Sequence, residues 1–253
     1  GTTGESPTLS DDEKLELFKN VKDAVGDNAR VIAGTTDNNN KKSIELSIEA
    51  ESLGVDGLLL TVPSYNKPTQ QGLIDHFNKI ADSVNIPCIL YNVPGRSALN
   101  MEAETTHKLS FHENIIGIKE ASSDLSQITK IINNSSNSGF KVWSGNDDET
   151  FSIMALGGFG VVSVASNIIG NQIKTMMGAV LEGNIESAAN HHKELIPLFQ
   201  ALFWVTNPIL IKRALNISGY NVGGLRLPMI DSKEFDREFS ELLSKYEIDI
   251  TKT

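Results

Sequence analysis

Six short apolar runs, each followed by a longer amphipathic stretch, constrain the fold of this chain more than any other feature. The runs are Arg30–Gly34, Val55–Val62, Ile86–Asn92, Ile115–Lys119, Lys141–Ser144 and Gly160–Ala165. They recur roughly every 20–30 residues, the length of a strand plus its crossover helix. Helical patterning fills the intervals at Asp11–Val25, Lys41–Leu53, Gln70–Ser83, Asp124–Asn133 and Glu149–Leu156. Ser10 ahead of Asp11, Asp12 and Glu13 reads as an N-cap with an acidic first turn. Strands that are apolar on both faces and joined by helices form a parallel sheet. Two architectures fit, an open doubly wound sheet and a closed (β/α)8 TIM barrel, for which six strands are two short. Past Ala165 the pattern turns helical, from Gln172 to Leu215 and again from Lys233 to Tyr246. The expected division is a β/α part over 1–166, a barrel if its sheet closes, and a C-terminal helical region over 167–253.

Composition narrows the function classes. The chain of 253 residues carries 22 basic and 32 acidic side chains, for a formal charge of −10, and no basic stripe suited to nucleic acid or an anionic membrane. A single cysteine, Cys88, excludes an internal disulfide framework and a cysteine-rich zinc site. The five histidines show no metal-ligand spacing beside acidic partners. No apolar window of about 18 residues is present, and Gly1 to Glu5 lacks the basic n-region of a signal peptide. A soluble, cytoplasmic protein is expected.

The chemistry-bearing residues gather where strands end. In Ile115-Ile-Gly-Ile-Lys119-Glu120 a lysine closes an otherwise apolar strand. Alternation puts Ile115, Gly117 and Lys119 on one face and Ile116, Ile118 and Glu120 on the other. Sites of parallel α/β folds lie at the carboxyl ends of strands. Partial desolvation there favours a neutral amine, which is a nucleophile toward carbonyls. Tyr91 ends the preceding strand and points to the same mouth, where a phenol can pass protons. Pro94-Gly95 turns the chain, and Arg96 offers a planar fork for a carboxylate. Ser64-Tyr65-Asn66-Lys67-Pro68 is a loop bracketed by prolines that presents a tyrosine. Gly1-Thr2-Thr3-Gly4-Glu5-Ser6 supplies hydroxyls and backbone amides that can hold an anion. Gly145 follows a strand and can approach a ligand closely, whereas Gly157, Gly158 and Gly160 precede one and read as a tight αβ turn. A nucleophile elbow and a Walker loop are both absent.

Together these segments resemble the dihydrodipicolinate synthases, within the pyruvate-dependent class I lyases. The markers are Gly1-Thr2-Thr3-Gly4-Glu5, Tyr65-Asn66-Lys67-Pro68, Tyr91-Asn92-Val93-Pro94-Gly95-Arg96, Gly117-Ile118-Lys119-Glu120-Ala121, Ser144-Gly145-Asn146 and Leu225-Arg226-Leu227-Pro228, in that order from Gly1 to about Pro228. The resemblance implies a (β/α)8 barrel with extra C-terminal helices. It implies condensation of pyruvate with aspartate 4-semialdehyde, a step of diaminopimelate and lysine synthesis, and it calls for no metal or organic cofactor.

Residue by residue, the resemblance makes Lys119 the Schiff-base lysine, with Tyr91 over it as proton relay. Thr2 and Tyr65 complete the relay, Tyr65 reaching in from a neighbouring subunit, which implies at least a dimer and usually a homotetramer. Thr3 holds the pyruvate carboxylate, Arg96 binds the semialdehyde carboxylate, and Gly145 and Val162 contribute main-chain atoms. Relatives begin with a strand, a helix and a second strand ahead of the Gly-Thr-Thr-Gly-Glu loop, so the native protein is expected to be longer. Ser64 stands where many relatives have a second aromatic, and Asp11, Lys14 and Lys42 stand where a lysine-feedback site often has histidines and a carboxylate. The extra cation should repel lysine, so a dose–response with lysine is expected to show weak or no inhibition. A sister lyase (for N-acetylneuraminate or a keto-deoxy sugar acid) shares the lysine and tyrosine, but Arg96 suits a small dicarboxylate-like product. A non-catalytic barrel that binds a keto acid would have no need of Thr2, Tyr65, Tyr91, Arg96 and Lys119 together.

Overall fold

The computed structural model describes residues 1–135 and 139–249. The chain divides into two compact units, one of 9–145 with 156–161 and the other of 1–8, 146–155 and 162–253.

The first unit holds the sheet. Its strands are β1 (Ile32–Gly34), β2 (Gly57–Thr61), β3 (Cys88–Asn92), β4 (Ile115–Glu120), β5 (Lys141–Ser144) and β6 (Gly160–Val161). All pairs are parallel and the order is β1-β2-β3-β4-β5-β6. A doubly wound sheet reverses its strand order at a switch point. This sheet never reverses, so the winding is TIM-barrel-like. The helices are α1 (Asp11–Val25), α2 (Asn40–Ser52), α3 (Gln70–Ala81), α4 (Pro94–Ser97), α5 (Ala103–Leu109) and α6 (Leu125–Ser135).

Local chemistry explains the helix starts. The Ser10 hydroxyl accepts from the Glu13 amide (3.2 Å) while the Glu13 carboxylate accepts from the Ser10 amide (2.9 Å), a capping box at α1. Asn39 and Thr69 cap α2 and α3 by one bond each, their side-chain oxygens accepting from the Lys41 and Gly72 amides. On α3, Leu73, Phe77, Ile80 and Ala81 are all fully buried at helical spacing, which places one stripe in the core. Two short helices, α4 and α5, fall outside the expected set. Each has fewer than two full turns of pattern, too few for periodicity to register.

The sixth run is shorter than expected. The strand reading of Gly160–Ala165 is corrected to Gly160–Val161. In the second unit, the Val164 and Ala165 amides both donate to Asp147 Oδ2, at 3.1 and 2.9 Å. Amides committed to a carboxylate cannot continue a ladder. Gly157, with φ of +99°, makes the αβ turn ahead of β6.

The second unit is helical: α7 (Thr150–Ala155), α8 (Ser166–Leu181), α9 (Ile185–Ala201), α10 (Ile209–Ile217) and α11 (Asp236–Leu243). The helical stretch expected over Gln172–Leu215 thus resolves into parts of three helices, broken at Gly183 and again after Ala201. Helix α8 packs on α9; Ile169, Ile173 and Met176 are buried on α8, and Leu195, Leu198 and Phe199 on α9. Among the described residues no helix is long and apolar enough to cross a membrane, and no group of three His, Cys, Asp or Glu could hold a metal ion.

Asp56 braces the β1 edge of the sheet. It accepts from Lys22 (2.7 Å), Arg30 (2.8 Å) and the Val31 amide (2.9 Å). Lys22, then the Val31 amide and Arg30, hold its carboxyl far below the usual carboxylate range. A depressed folded-state pKa stabilises the fold above the unfolded value of about 3.9 and loses that contribution as pH falls further. Urea titrations are therefore expected to show a steeper acid loss of stability for the parent than for Asp56→Asn, which should be less stable at neutral pH. Identical acid profiles would contradict this.

Candidate active site

The carboxyl ends of β3 and β4 bring Tyr91 and Lys119 side by side. Between Cys88 and Ile89 the register slips: Cys88 faces Ile115, but Ile89 faces Gly117. The extra residue on β4, Ile116, lets Tyr91 pair with Lys119 and Asn92 with Glu120. An unshifted ladder would have set Lys119 beside Asn92, on the opposite face from Tyr91. The Lys119 Nζ lies over the Tyr91 ring, 4.2 Å from its centroid, within range of attraction to the ring's π-face. Burial pushes the Tyr91 phenol above its ordinary range, with Arg96 pulling the other way. The phenol therefore keeps its proton at neutral pH and can lend it.

Trp143 of β5 pairs with Lys119 on the other side. Its ring lies so close over Gly117 that a Cβ there would collide with the indole and with the Lys141 carbonyl. Glycine in the middle of β4 is thus the space that Trp143 fills, and Phe159 packs edge-on against the indole at 5.2 Å.

Gly145 lies against the lysine itself. Its amide donates to the Glu120 carbonyl (2.7 Å). A Cβ built on Gly145 would come within 3.1 Å of Lys119 Cε and 2.8 Å of Ala121 Cβ. Gly145→Ala is expected to push Ala121 aside and shift the lysine stem by a few tenths of an ångström, with an activity loss below the roughly 10²-fold of a 1 Å misplacement and a stability loss of about 1–3 kcal/mol. Steady-state kinetics with a thermal melt checks both, and unchanged kinetics would refute the close-approach reading.

Arg96 lies exposed on α4, whose Pro94 start fixes the turn after β3. The Ser97 carbonyl of that helix accepts from the Tyr65 amide at 3.3 Å. Tyr65 is 91% exposed and has φ of +70°, a left-handed conformation unusual for a tyrosine. Its ring is held out toward solvent by the loop.

Thr2, Thr3 and Val162 belong to the second unit. Thr2–Gly4 form a 3-10 turn closed by Glu5 in the left-handed conformation. Thr3 Oγ1 accepts from Asn207 Nδ2 at 2.9 Å. The Glu5 carboxylate accepts from the Lys212 ammonium and the Arg226 amide. Burial works against its ionisation, yet those donors outweigh it and hold the carboxyl below its ordinary value. The loop is thereby tied to α10 and to the Leu225–Pro228 segment, over two hundred residues away in the chain. Val162 is half-buried just past β6.

Sequence reasoning overlooked one group. Glu120 is fully buried on the face opposite Lys119 and accepts from Asn92 Nδ2 (3.0 Å), the Ser122 amide (2.9 Å) and Gln127 Nε2 (3.3 Å). A charged residue at an out-facing position of an otherwise apolar strand was the available signal. Nothing in its spacing named Asn92, Ser122 or Gln127 as partners.

The family model of the Dihydrodipicolinate synthetase family matches residues 1–245. A 4-hydroxy-tetrahydrodipicolinate synthase of Dehalococcoides mccartyi (strain CBDB1) is 51% identical over 251 residues, covering 99% of this chain and 84% of the relative. That of Moorella thermoacetica is 49% identical, covering 94% of this chain and 81% of the relative. Among solved structures, dihydrodipicolinate synthase from Aquifex aeolicus superposes with a TM-score of 0.95 at 38% identity, covering all of this chain and 86% of the other. The Thermotoga maritima enzyme gives 0.92 at 40% identity, covering 97% of this chain and 83% of the other.

Proposed function

The chain belongs to the dihydrodipicolinate synthetase family, and from that premise we propose that it condenses pyruvate with L-aspartate 4-semialdehyde through a lysine Schiff base, giving 4-hydroxy-tetrahydrodipicolinate for diaminopimelate and lysine synthesis. It is a lyase. The observation that carries the residue assignment is the Lys119 amine over the Tyr91 ring at the carboxyl ends of adjacent parallel strands. The consecutive parallel order of six strands supports a (β/α)8 barrel, with 1–166 as barrel and 167–253 as the C-terminal helical region.

In this reading Lys119 attacks the pyruvate carbonyl and water leaves, forming a protonated imine. Its nitrogen is an electron sink, so the pyruvate methyl loses a proton to give an enamine. The enamine carbon then adds to the aldehyde of the second substrate, which restores the imine, and that substrate's amino group attacks the imine carbon, closing the ring and releasing Lys119 as the free amine. Tyr91, kept protonated by burial, passes protons at the amine and the departing water. Thr2 and Tyr65 extend that hydroxyl relay. The exposure of Tyr65 and its left-handed backbone support a role in a neighbouring subunit's site, hence an assembly of at least two copies and, in the family pattern, a homotetramer. Thr3 and its loop amides receive the pyruvate carboxylate, and the bracing of that loop by Asn207 and Lys212 supports a preorganised anion site. Arg96 takes the semialdehyde carboxylate. Gly145 and Val162 border the reacting atoms through main chain.

Incubation with pyruvate and borohydride, followed by peptide mapping, tests the proposal. A reduced adduct on Lys119, with turnover of aspartate semialdehyde but not of N-acetylneuraminate, is expected. An adduct elsewhere, or none, refutes it. An adduct with turnover of N-acetylneuraminate alone moves the chain to the sister lyases.

A further inference from the structure

We propose that the Glu120–Asn92 pair is a positioning element for the reaction: buried behind the sheet, it fixes Lys119, Tyr91 and the turn bearing Arg96 in one arrangement. The proposal rests on the reading of Lys119 as the Schiff-base residue.

Each member adjoins a residue of the site. Glu120 follows Lys119 and Asn92 follows Tyr91, and the two pair in register directly behind the Tyr91–Lys119 pair. Asn92 Nδ2 donates to Glu120 Oε1 at 3.0 Å and to Asn100 Oδ1 at 2.8 Å, and its Oδ1 accepts from the Met101 amide at 2.9 Å. This closes the segment 92–101, within which Arg96 lies. Gln127 of α6 donates to Glu120 Oε2 (3.3 Å), and its own Oε1 accepts from Asn100 Nδ2 (2.8 Å). The Ser122 amide completes the set on Oε1 at 2.9 Å. One carboxylate thus joins the ends of β3 and β4, the turn after β3 and the start of α6.

Among the described residues, the groups that donate to Glu120 are all neutral and no salt bridge to it forms. Burial pushes its carboxyl up to about 7 against the bonds from Ser122, Gln127 and Asn92. Holding an ionised carboxylate there at pH 8 costs stability that a neutral acceptor of the same shape would not incur. A group that costs stability and touches no solvent is understandable if it sets geometry.

The test is Glu120→Gln at pH 8, where the amide keeps the shape and gives up the charge. Expected are a fall of tenfold or more in kcat and in the rate of borohydride-trappable adduct formation, an unchanged KM for pyruvate, and a melting temperature equal to or above the parent's. Adding Gln127→Glu, which returns a carboxylate to the cluster, is expected to recover most of the rate. A residue that merely supported the fold would instead lose melting temperature and rate together. That result, or a trapping rate within twofold of the parent, overturns the proposal. Should Glu120→Gln yield no folded protein, Gln127→Leu removes one donor from the α6 side: a kcat loss at parental melting temperature supports the proposal, and parental kcat overturns it. Failure of the parent itself to trap pyruvate at Lys119 would sink the functional reading. An adduct in the parent with indifferent variants sinks only the positioning role.

Discussion

Lys119→Ala is expected to leave no trappable pyruvate adduct and to lower kcat/KM on the order of 10⁴-fold or more, the scale seen when a covalent nucleophile is removed. The loss is chemical. The amine supplies the bond that turns a keto acid into an enamine, and among the described residues no second lysine stands at the Tyr91 ring to replace it. The fold should tolerate the change. Lys119 is half-buried on the site face, on a strand flanked by Tyr91 and Trp143, so alanine shortens a side chain that lies outside the buried core. A thermal melt close to the parent's, alongside the absent adduct, separates lost chemistry from lost structure. Residual adduct in the variant, mapped to another lysine, would mean that the wrong amine has been assigned.

Arg96→Ala is expected to spare the pyruvate adduct and to lower kcat/KM for aspartate semialdehyde about 10²–10³-fold. Losing one partner of a desolvated charge pair costs about 2–5 kcal/mol, and each 1.4 kcal/mol is a tenfold change. Arg96 lies on a four-residue helix fixed at its start by Pro94 and by the Val93 carbonyl, which accepts from the Arg96 and Ser97 amides. None of those bonds uses the guanidinium, so α4 should persist in the variant. Arg96→Lys keeps the charge but not the two-pronged geometry and should recover the rate only in part. Parental kinetics with the semialdehyde in Arg96→Ala would remove this arginine from the site.

The two variants divide the reaction at its natural midpoint. One stops the first half, imine formation, and the other leaves it intact while weakening capture of the second substrate. Trapping and turnover measured on the same preparations therefore read the two halves independently.

Much of this was legible in the sequence because it depends on short-range periodicity and local chemistry. Short apolar runs marked all six strands, with β4 and β5 close to their observed ends. Ser10 and the acids after it announced the start of α1, and the alternation of β4 put Lys119 at a strand end with Glu120 facing away from it. The (β/α)8 expectation became a TIM-barrel-like winding through one topological fact, a strand order without reversal.

Tertiary structure decided the rest, where the deciding partner is remote in the chain or the difference is one residue of register. The slip after Cys88 set Tyr91 against Lys119, and no pattern within either strand specifies a bulge between them. The need for glycine at 117 became visible only with Trp143 over it, and the close approach expected of Gly145 gained its neighbour only with Lys119 Cε beside it. Asp147 ended the sixth strand from seventeen residues away, and Lys212 anchors Glu5 from 207 away. Periodicity tells which way a side chain faces; only the packed chain tells what it meets, because hydrogen bonds and van der Waals contacts act over a few ångströms of space and take no account of sequence distance.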